Sequence, residues 1–122
     1  VKKLLEPLRA RYFYLLGSGF GLIREFDSCF VYSRKAYKAY HKLYGEANLQ
    51  TIYAAKILGN CYRLHGRPIV CKEILTRQLA ILSSMNIKNA EAEAVLLNSM
   101  GNLYVQIHDY KGAVHAYTAG FE

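Results

Sequence analysis

Gly17-Ser18-Gly19-Phe20-Gly21 is the densest glycine run in the chain, and such runs can cradle phosphate with successive backbone N–H groups. A loop of that kind needs a strand before it and, in its P-loop form, a Lys-Ser/Thr pair after it. Neither is present, and the kinase version would need catalytic and metal-binding motifs that the chain lacks. Cys61 and His65 stand four apart, which puts them on one face of a helix, and Cys71 follows nearby. A structural zinc site takes four N or S ligands; only three are local, so buried thiols are the commoner outcome. His41, His65, His108 and His115 are scattered, and none is spaced with a carboxylate and a nucleophile as a triad would require. No catalytic residue, no metal and no cofactor is expected.

The elements that carry these residues fit in one domain, because the chain has 122 residues. Apolar residues are 52% and charged residues 20% of the chain, which argues for a packed core and against wholesale disorder. Charges interrupt every apolar run before the roughly 18 residues a membrane span needs, so no membrane insertion is expected. Val1 opens the chain without an initiator Met or a charged-then-apolar leader, which reads as a fragment of a longer chain without a signal peptide. Cys29, Cys61 and Cys71 form an odd set without the even pattern of a secreted disulfide framework. They read as reduced, buried thiols, and the expected location is intracellular, in the cytoplasm.

The net charge of +7 is uneven. Residues 1–48 carry nine Lys/Arg against four Asp/Glu (+5), residues 49–89 six against one (+5), and residues 90–122 one against four (−3). A basic body with an acidic end favours acidic partners or acidic neighbouring repeats.

The chain repeats itself. Leu16-Gly17, Leu58-Gly59 and Met100-Gly101 recur every 42 residues. Three residues after each glycine stands an aromatic (Phe20, Tyr62, Tyr104), and twelve after it a small side chain (Cys29, Cys71, Ala113). Each unit reads as two helices. From Asn48 to His65 the apolar residues Leu49, Ile52, Tyr53, Ile57, Cys61 and Leu64 fall at helical spacing. Gly66 suits a left-handed helix end, and Pro68 the first turn of the next helix. Asn89 suits an N-cap with Glu91 and Glu93 near the positive end, and Asp109 stands where the following helix begins. Helices are expected near 4–22, 26–43, 48–65, 68–84, 90–107 and 110–121, with no strand. Each glycine would let its paired helix approach closely, with the aromatic filling the space and the small residue receiving it. Tyr62, Tyr104, Tyr110 and Tyr117 are expected in the core. Tyr32, Tyr37, Tyr40 and Tyr44 form a stripe that should pack against neighbouring helices.

An apolar residue, then Leu-Gly-x-x-Tyr, a small residue and a bulky one four further on resembles the tetratricopeptide repeat. The third unit carries it at Leu97, Met100, Gly101, Tyr104, Asp109, Tyr110, Ala113 and Tyr117. The 42-residue period is similar to the long-helix variant found in kinesin-light-chain-type repeats. The resemblance covers about 110 residues, with three departures: no closing proline, a glycine-rich first unit, and Ser33 in place of a bulky residue. It implies an all-α fold, a right-handed α-solenoid of antiparallel helix pairs, with three units near 4–45, 46–87 and 88–122.

In such repeats the first helix of each unit lines a concave groove. The resemblance places Tyr53, Lys56, Asn60 and Arg63 of the second unit there, with Val95, Asn98, Asn102 and Gln106 of the third. Asparagine can both donate to and accept from an extended peptide backbone, and Lys56 and Arg63 would engage a carboxylate. The set is similar to part of the clamp that some members use for a chaperone's C-terminal carboxylate. Tyr53, Lys56, Asn60, Arg63, Asn98 and Asn102 are the expected contact residues of a non-catalytic protein–protein interaction scaffold holding an acidic protein or peptide partner. The alternatives are a structural subunit of a large assembly that could contain RNA, and a non-catalytic appendage of a larger enzyme. Nucleic acid is the weaker partner: Arg34, Lys35, Lys38 and Lys42 interleave with the tyrosine stripe, but no base-reading set recurs per unit.

Overall fold

The computed structural model describes residues 2–121. They form six α-helices and no strand: α1 (Lys2–Leu22), α2 (Phe26–Tyr44), α3 (Leu49–Leu64), α4 (Pro68–Ser84), α5 (Ala90–Gln106) and α6 (Tyr110–Phe121). Among these residues no helix is long and apolar enough to cross a membrane. The glycine run of residues 17–21 lies inside α1 and forms no loop.

Local chemistry sets the helix boundaries. Asn48 accepts from the Gln50 amide and Asn89 from the Ala92 amide, each at 2.9 Å, satisfying donors that the first turn leaves free. Asp109 takes the Gly112 amide at 2.9 Å in the same way. The first helix of every pair ends alike. Arg24, Gly66 and His108, spaced by 42, hold φ of +62°, +84° and +63°. Beyond each, Glu25 donates to the Phe20 carbonyl (2.9 Å), Arg67 to Tyr62 (2.8 Å) and Asp109 to Tyr104 (2.8 Å). These are Schellman closures, in which the left-handed residue lets the chain turn back and satisfy the last carbonyls. The period seen in the side chains is therefore also a period of the backbone.

The helices of each pair run antiparallel: Gly17 of α1 faces Ser33 of α2 and Gly21 faces Cys29, while Gly101 of α5 faces Tyr117 of α6. Each helix packs on its chain neighbours, and α3 also touches both α1 and α5. Among the described residues α2 does not touch α4, nor α4 α6. The odd-numbered helices therefore contact one another in order through α3, and the even-numbered helices do not. The main core joins Ile52 of α3, Cys71, Leu75 and Leu82 of α4, Leu96, Met100 and Leu103 of α5, and Ala116 of α6. A second cluster joins Ala10, Ala36, Tyr40 and Ala54 across α1, α2 and α3.

The glycines divide. A Cβ on Gly17 would lie 2.9 Å from the Ser33 amide nitrogen and 3.2 Å from its Cα, and one on Gly101 would enter the Tyr117 ring. A Cβ on Gly59 would meet nothing nearer than Ile74 at 3.4 Å. Close approach therefore requires glycine in the first and third pairs and not in the second. Ser33 departs from the repeat pattern because there α2 brings its backbone, not a bulky side chain, against α1.

The signature aromatics of the later units face backward rather than into their own pair. Tyr62 of α3 meets Phe30 of α2 edge-on at 4.8 Å, and Lys72 of α4 lies over Tyr104 of α5 at 5.5 Å. Phe20 instead stacks on Tyr32 within its own pair at 5.5 Å. Tyr40 is buried and Tyr32 and Tyr37 half-buried, as the stripe's spacing implied, but Tyr44 at the end of the stripe is exposed, and Tyr110 is exposed and is not part of the core.

All three cysteines are buried, but two are not free thiols. A disulfide joins Cys29 of α2 to Cys61 of α3, while Cys71 is free, and burial pushes its thiol up to about 11. The expectation of three reduced thiols is corrected, and an intracellular location loses that support. Thirty-two residues separate the partners, too many for spacing to announce the pair. His65 packs edge-on against Phe26 and Phe30, at 5.7 and 5.5 Å between ring centres.

Two outcomes follow for stability. Gly17→Ala and Gly101→Ala should each cost about 1–3 kcal/mol through overpacking. Gly59→Ala should be neutral or stabilising, since alanine gains roughly 1 kcal/mol of helix propensity. Equal melting temperatures for the three variants would contradict this division. Reducing the disulfide should lower unfolding free energy by about 4 kcal/mol, the chain-entropy value for a loop of this size. Coincident denaturant curves with and without a thiol reductant would refute the Cys29–Cys61 pairing.

Candidate functional site

The face shared by α1, α3 and α5 carries a continuous series of clefts. The first, about 390 Å³, runs between α1 and α3 and is lined by Gly17, Ser18 and Gly21 with Lys56, Asn60 and Arg63. The second, about 630 Å³, lies between α3 and α5 and shares Lys56 and Asn60, adding Asn98, Asn102 and Glu91. A third joins Arg63 and Asn102 to Arg24, Gln106 and Tyr117. Lys56, Asn60, Arg63, Asn98 and Asn102 therefore lie along one surface, because steps of three, four and seven return to the same side of a helix. Tyr53 is set apart. It lines a smaller cleft with Arg11, Tyr14, Leu15, Tyr40 and Gln50 and reaches the main series through Lys56, whose ammonium lies 5.7 Å from its ring centre.

The polar groups differ in what they have left to offer. Arg63 and Gln106 hold each other across α3 and α5: the guanidinium donates to Oε1 of Gln106 at 3.2 Å, and Nε2 of Gln106 donates to the Arg63 carbonyl at 2.9 Å. The Nε of Arg63 is buried without a partner. The Tyr117 hydroxyl donates to Oδ1 of Asn102, so the Asn102 amide retains its NH₂ for an incoming acceptor. Asn60 is the converse: its Oδ1 is buried and has no partner, and it would accept an N–H from a ligand. Asn98 is exposed.

Lys56 is half-buried, and burial lowers its pKa. Among the described residues the one ion pair is Arg77 with Glu46, far from this face in the chain, so Lys56 is not neutralised by a carboxylate. Arg24, Lys56 and Arg63 thus hold positive charge along the α1–α3 end, with Glu91 at the α5 end. A desolvated donor such as Lys56 binds an anion more strongly than a surface lysine does.

Two contributors were not legible as site residues. Tyr117 occupies a signature core position, yet it lines two of the clefts, with its hydroxyl bonded to Asn102. Arg24 enters because its left-handed turn falls at the mouth of two clefts; nothing in the sequence signals that placement. Comparison of the chain with protein-family models, with curated proteins and with solved structures returned no match.

Lys56 provides a measurable test of the electrostatics. A lysine with a lowered folded-state pKa holds its proton less tightly than in the unfolded chain. The charged form is therefore destabilising at neutral pH, and the penalty fades as pH rises through the folded pKa toward 10.5. Lys56→Met should melt above the wild type at neutral pH, with the margin narrowing under alkaline conditions. A margin independent of pH would show that Lys56 is fully solvated.

Proposed function

We propose that this chain is a non-catalytic interaction scaffold of tetratricopeptide-like helix pairs stacked as an α-solenoid, which holds an extended acidic segment of a partner protein along α1, α3 and α5. The order of helix contacts and the 42-residue recurrence of the Schellman closures support the stacked-pair reading. The observation that carries the function is the set of unspent polar groups on the cleft line. The buried, unpartnered Oδ1 of Asn60 and Nε of Arg63 stand beside the desolvated, unneutralised ammonium of Lys56. Buried polar atoms ordinarily have partners, and an extended peptide supplies both kinds: backbone N–H groups for Asn60, carboxylates for Lys56. The side-by-side placement of an acceptor and a cation suits a peptide better than a free anion, which would leave Asn60 unanswered.

Nucleic acid is less favoured. Lys35, one of the basic residues interleaved with the tyrosine stripe, lies over the Phe13 and Tyr32 rings at 5.5 Å from each centre. Those rings are covered and not free to stack on bases.

The direct experiment is fluorescence anisotropy with a labelled, glutamate-rich peptide. Lys56→Ala and Asn60→Ala should each weaken binding about 10-fold or more, the effect of losing a hydrogen bond to or from a charged or buried group. Lys38→Ala, on α2 and away from the clefts, should leave binding unchanged. Equal affinity for all three variants, or no binding by the wild type, would remove the groove assignment.

A further inference from the structure

Three tyrosines and an arginine surround a small cleft where α1, α2 and α3 meet. The cleft holds about 240 Å³ and is lined by Arg11, Tyr14 and Leu15 of α1, Tyr40 of α2, and Gln50 and Tyr53 of α3. All of its walls belong to helices that pack on one another within the chain.

The 42-residue period shows what the fold alone requires at this place. Where α3, α4 and α5 meet, the counterparts of Tyr40, Gln50 and Tyr53 are Leu82, Ala92 and Val95. Leu82 and Ala92 are buried in the main core. Aliphatic side chains thus suffice to pack the equivalent junction, and the polar groups of the first one are not needed for packing. They also lack partners. Among the described residues the hydrogen-bonded tyrosine hydroxyls are those of Tyr110 and Tyr117, and those of Tyr14, Tyr40 and Tyr53 are not bonded. Tyr40 is 5% exposed, and a polar side chain so deeply buried ordinarily has a partner.

Charge and protonation select the kind of partner. No carboxylate lines the cleft; Glu91 acts on Tyr53 but lines the neighbouring α3–α5 cleft. Arg11 has no ion-pair partner among the described residues, and the Lys56 ammonium stands 5.7 Å from the centre of the Tyr53 ring. Burial raises the pKa of all three tyrosines, and at Tyr14 the neighbouring Tyr53 and Tyr40 add to the rise. Each therefore keeps its O–H as a donor at neutral pH. Three phenolic O–H groups, the Gln50 amide and a guanidinium form a donor set for an anion. A carboxylate offers that set two oxygens. A phosphate monoester offers three, with about two negative charges, and its ester oxygen is left to join a carrier.

We infer that this cleft is a phosphate-monoester pocket that takes a phosphorylated side chain of the partner segment. The carrier rests on the proposed groove: Tyr53 and Lys56 join the pocket to the line of clefts, so a segment lying across α1 and α3 passes its mouth.

Isothermal titration of the full chain with phenyl phosphate reads the pocket without any peptide. The wild type should bind it, and should bind benzoate, which keeps the ring but offers a carboxylate, about 10-fold or more weakly. Tyr40→Phe and Arg11→Met should each lower the affinity for phenyl phosphate about 10-fold or more, the effect of losing a hydrogen bond to a charged group. Tyr40→Phe keeps the buried ring, so its helicity by circular dichroism should match the wild type, and Tyr53→Phe repeats the test on α3. Anisotropy then identifies the carrier, using variants of the glutamate-rich peptide with phosphoserine or phosphotyrosine at one position each. At least one should bind the wild type about 10-fold more tightly than the parent peptide, and Tyr40→Phe should abolish that gain. No affinity for phenyl phosphate, or equal affinity for benzoate, overturns the pocket even where the parent peptide binds. Binding of phenyl phosphate with no gain from any phosphorylated peptide overturns the carrier and leaves a site for a free phosphate monoester. Loss of the parent peptide alone, with phenyl phosphate still bound, counts against the groove and not against the pocket.

Discussion

Cys29, Ser33 and Cys61 are buried together where α2 meets α3, and the placement of everything else depends on that seam. Ser33 lies against Gly17 on one side, and its hydroxyl is 3.4 Å from the Cys61 sulfur on the other. Because Cys61 is oxidised, the hydroxyl is the donor. One small side chain therefore locks α1, α2 and α3 at once, and a disulfide crosses the same point. The seam lies at the floor of the α1–α3 cleft, so the depth of that cleft and the position of Lys56 above it follow from how closely these helices approach. A bulkier residue at Ser33 would move α1 outward, and Ser18 and Gly21 would then no longer face Lys56 at the same width.

The helix map was legible because each boundary is marked by a residue with one strong backbone preference. Asn48 and Asn89 cap, Pro68 opens, and Gly66 closes. Arg24 and His108 show the limit of that logic. They take the same left-handed conformation as Gly66 with no residue type to announce it, and only the period reveals their equivalence. The glycine reading was half right for a related reason. Gly17, Gly59 and Gly101 are equivalent in register, but close approach depends on what stands sixteen residues later. Ser33 brings backbone and Tyr117 brings a ring, whereas Leu75 lies in the main core and the atoms nearest Gly59 belong to Ile74 and Cys71. A pattern in one helix cannot encode the side chain that meets it from another.

The same distinction governs the candidate site. Five of the six expected contact residues fall on one face because helical periodicity alone decides facing. Their remaining hydrogen-bonding capacity does not follow from periodicity. Asn60 and Asn102 are register equivalents and were indistinguishable in the sequence, yet the Tyr117 hydroxyl occupies the oxygen of one and leaves that of the other free. Arg63 similarly appeared as a free cation, but Gln106 ties its guanidinium to α5. Tyr53 is separated from the rest because its ring turns toward Tyr14 and Tyr40 and touches the main face only beneath Lys56.

The proposed scaffold would have to satisfy two demands with one set of helices. The odd-numbered helices would present polar groups to a ligand on one side, while they pack apolar groups against their neighbours on another. The lowered pKa of Lys56 and the unpartnered Asn60 oxygen are costs on the ligand side, since each destabilises the folded chain until something binds. The buried disulfide and the Schellman closures lie within a few residues of those groups and hold the backbone that carries them. Placing strong local constraints directly beneath an unsatisfied polar line keeps the line ordered without filling it. A peptide arriving there would meet groups already oriented, and the affinity would not be spent on ordering them.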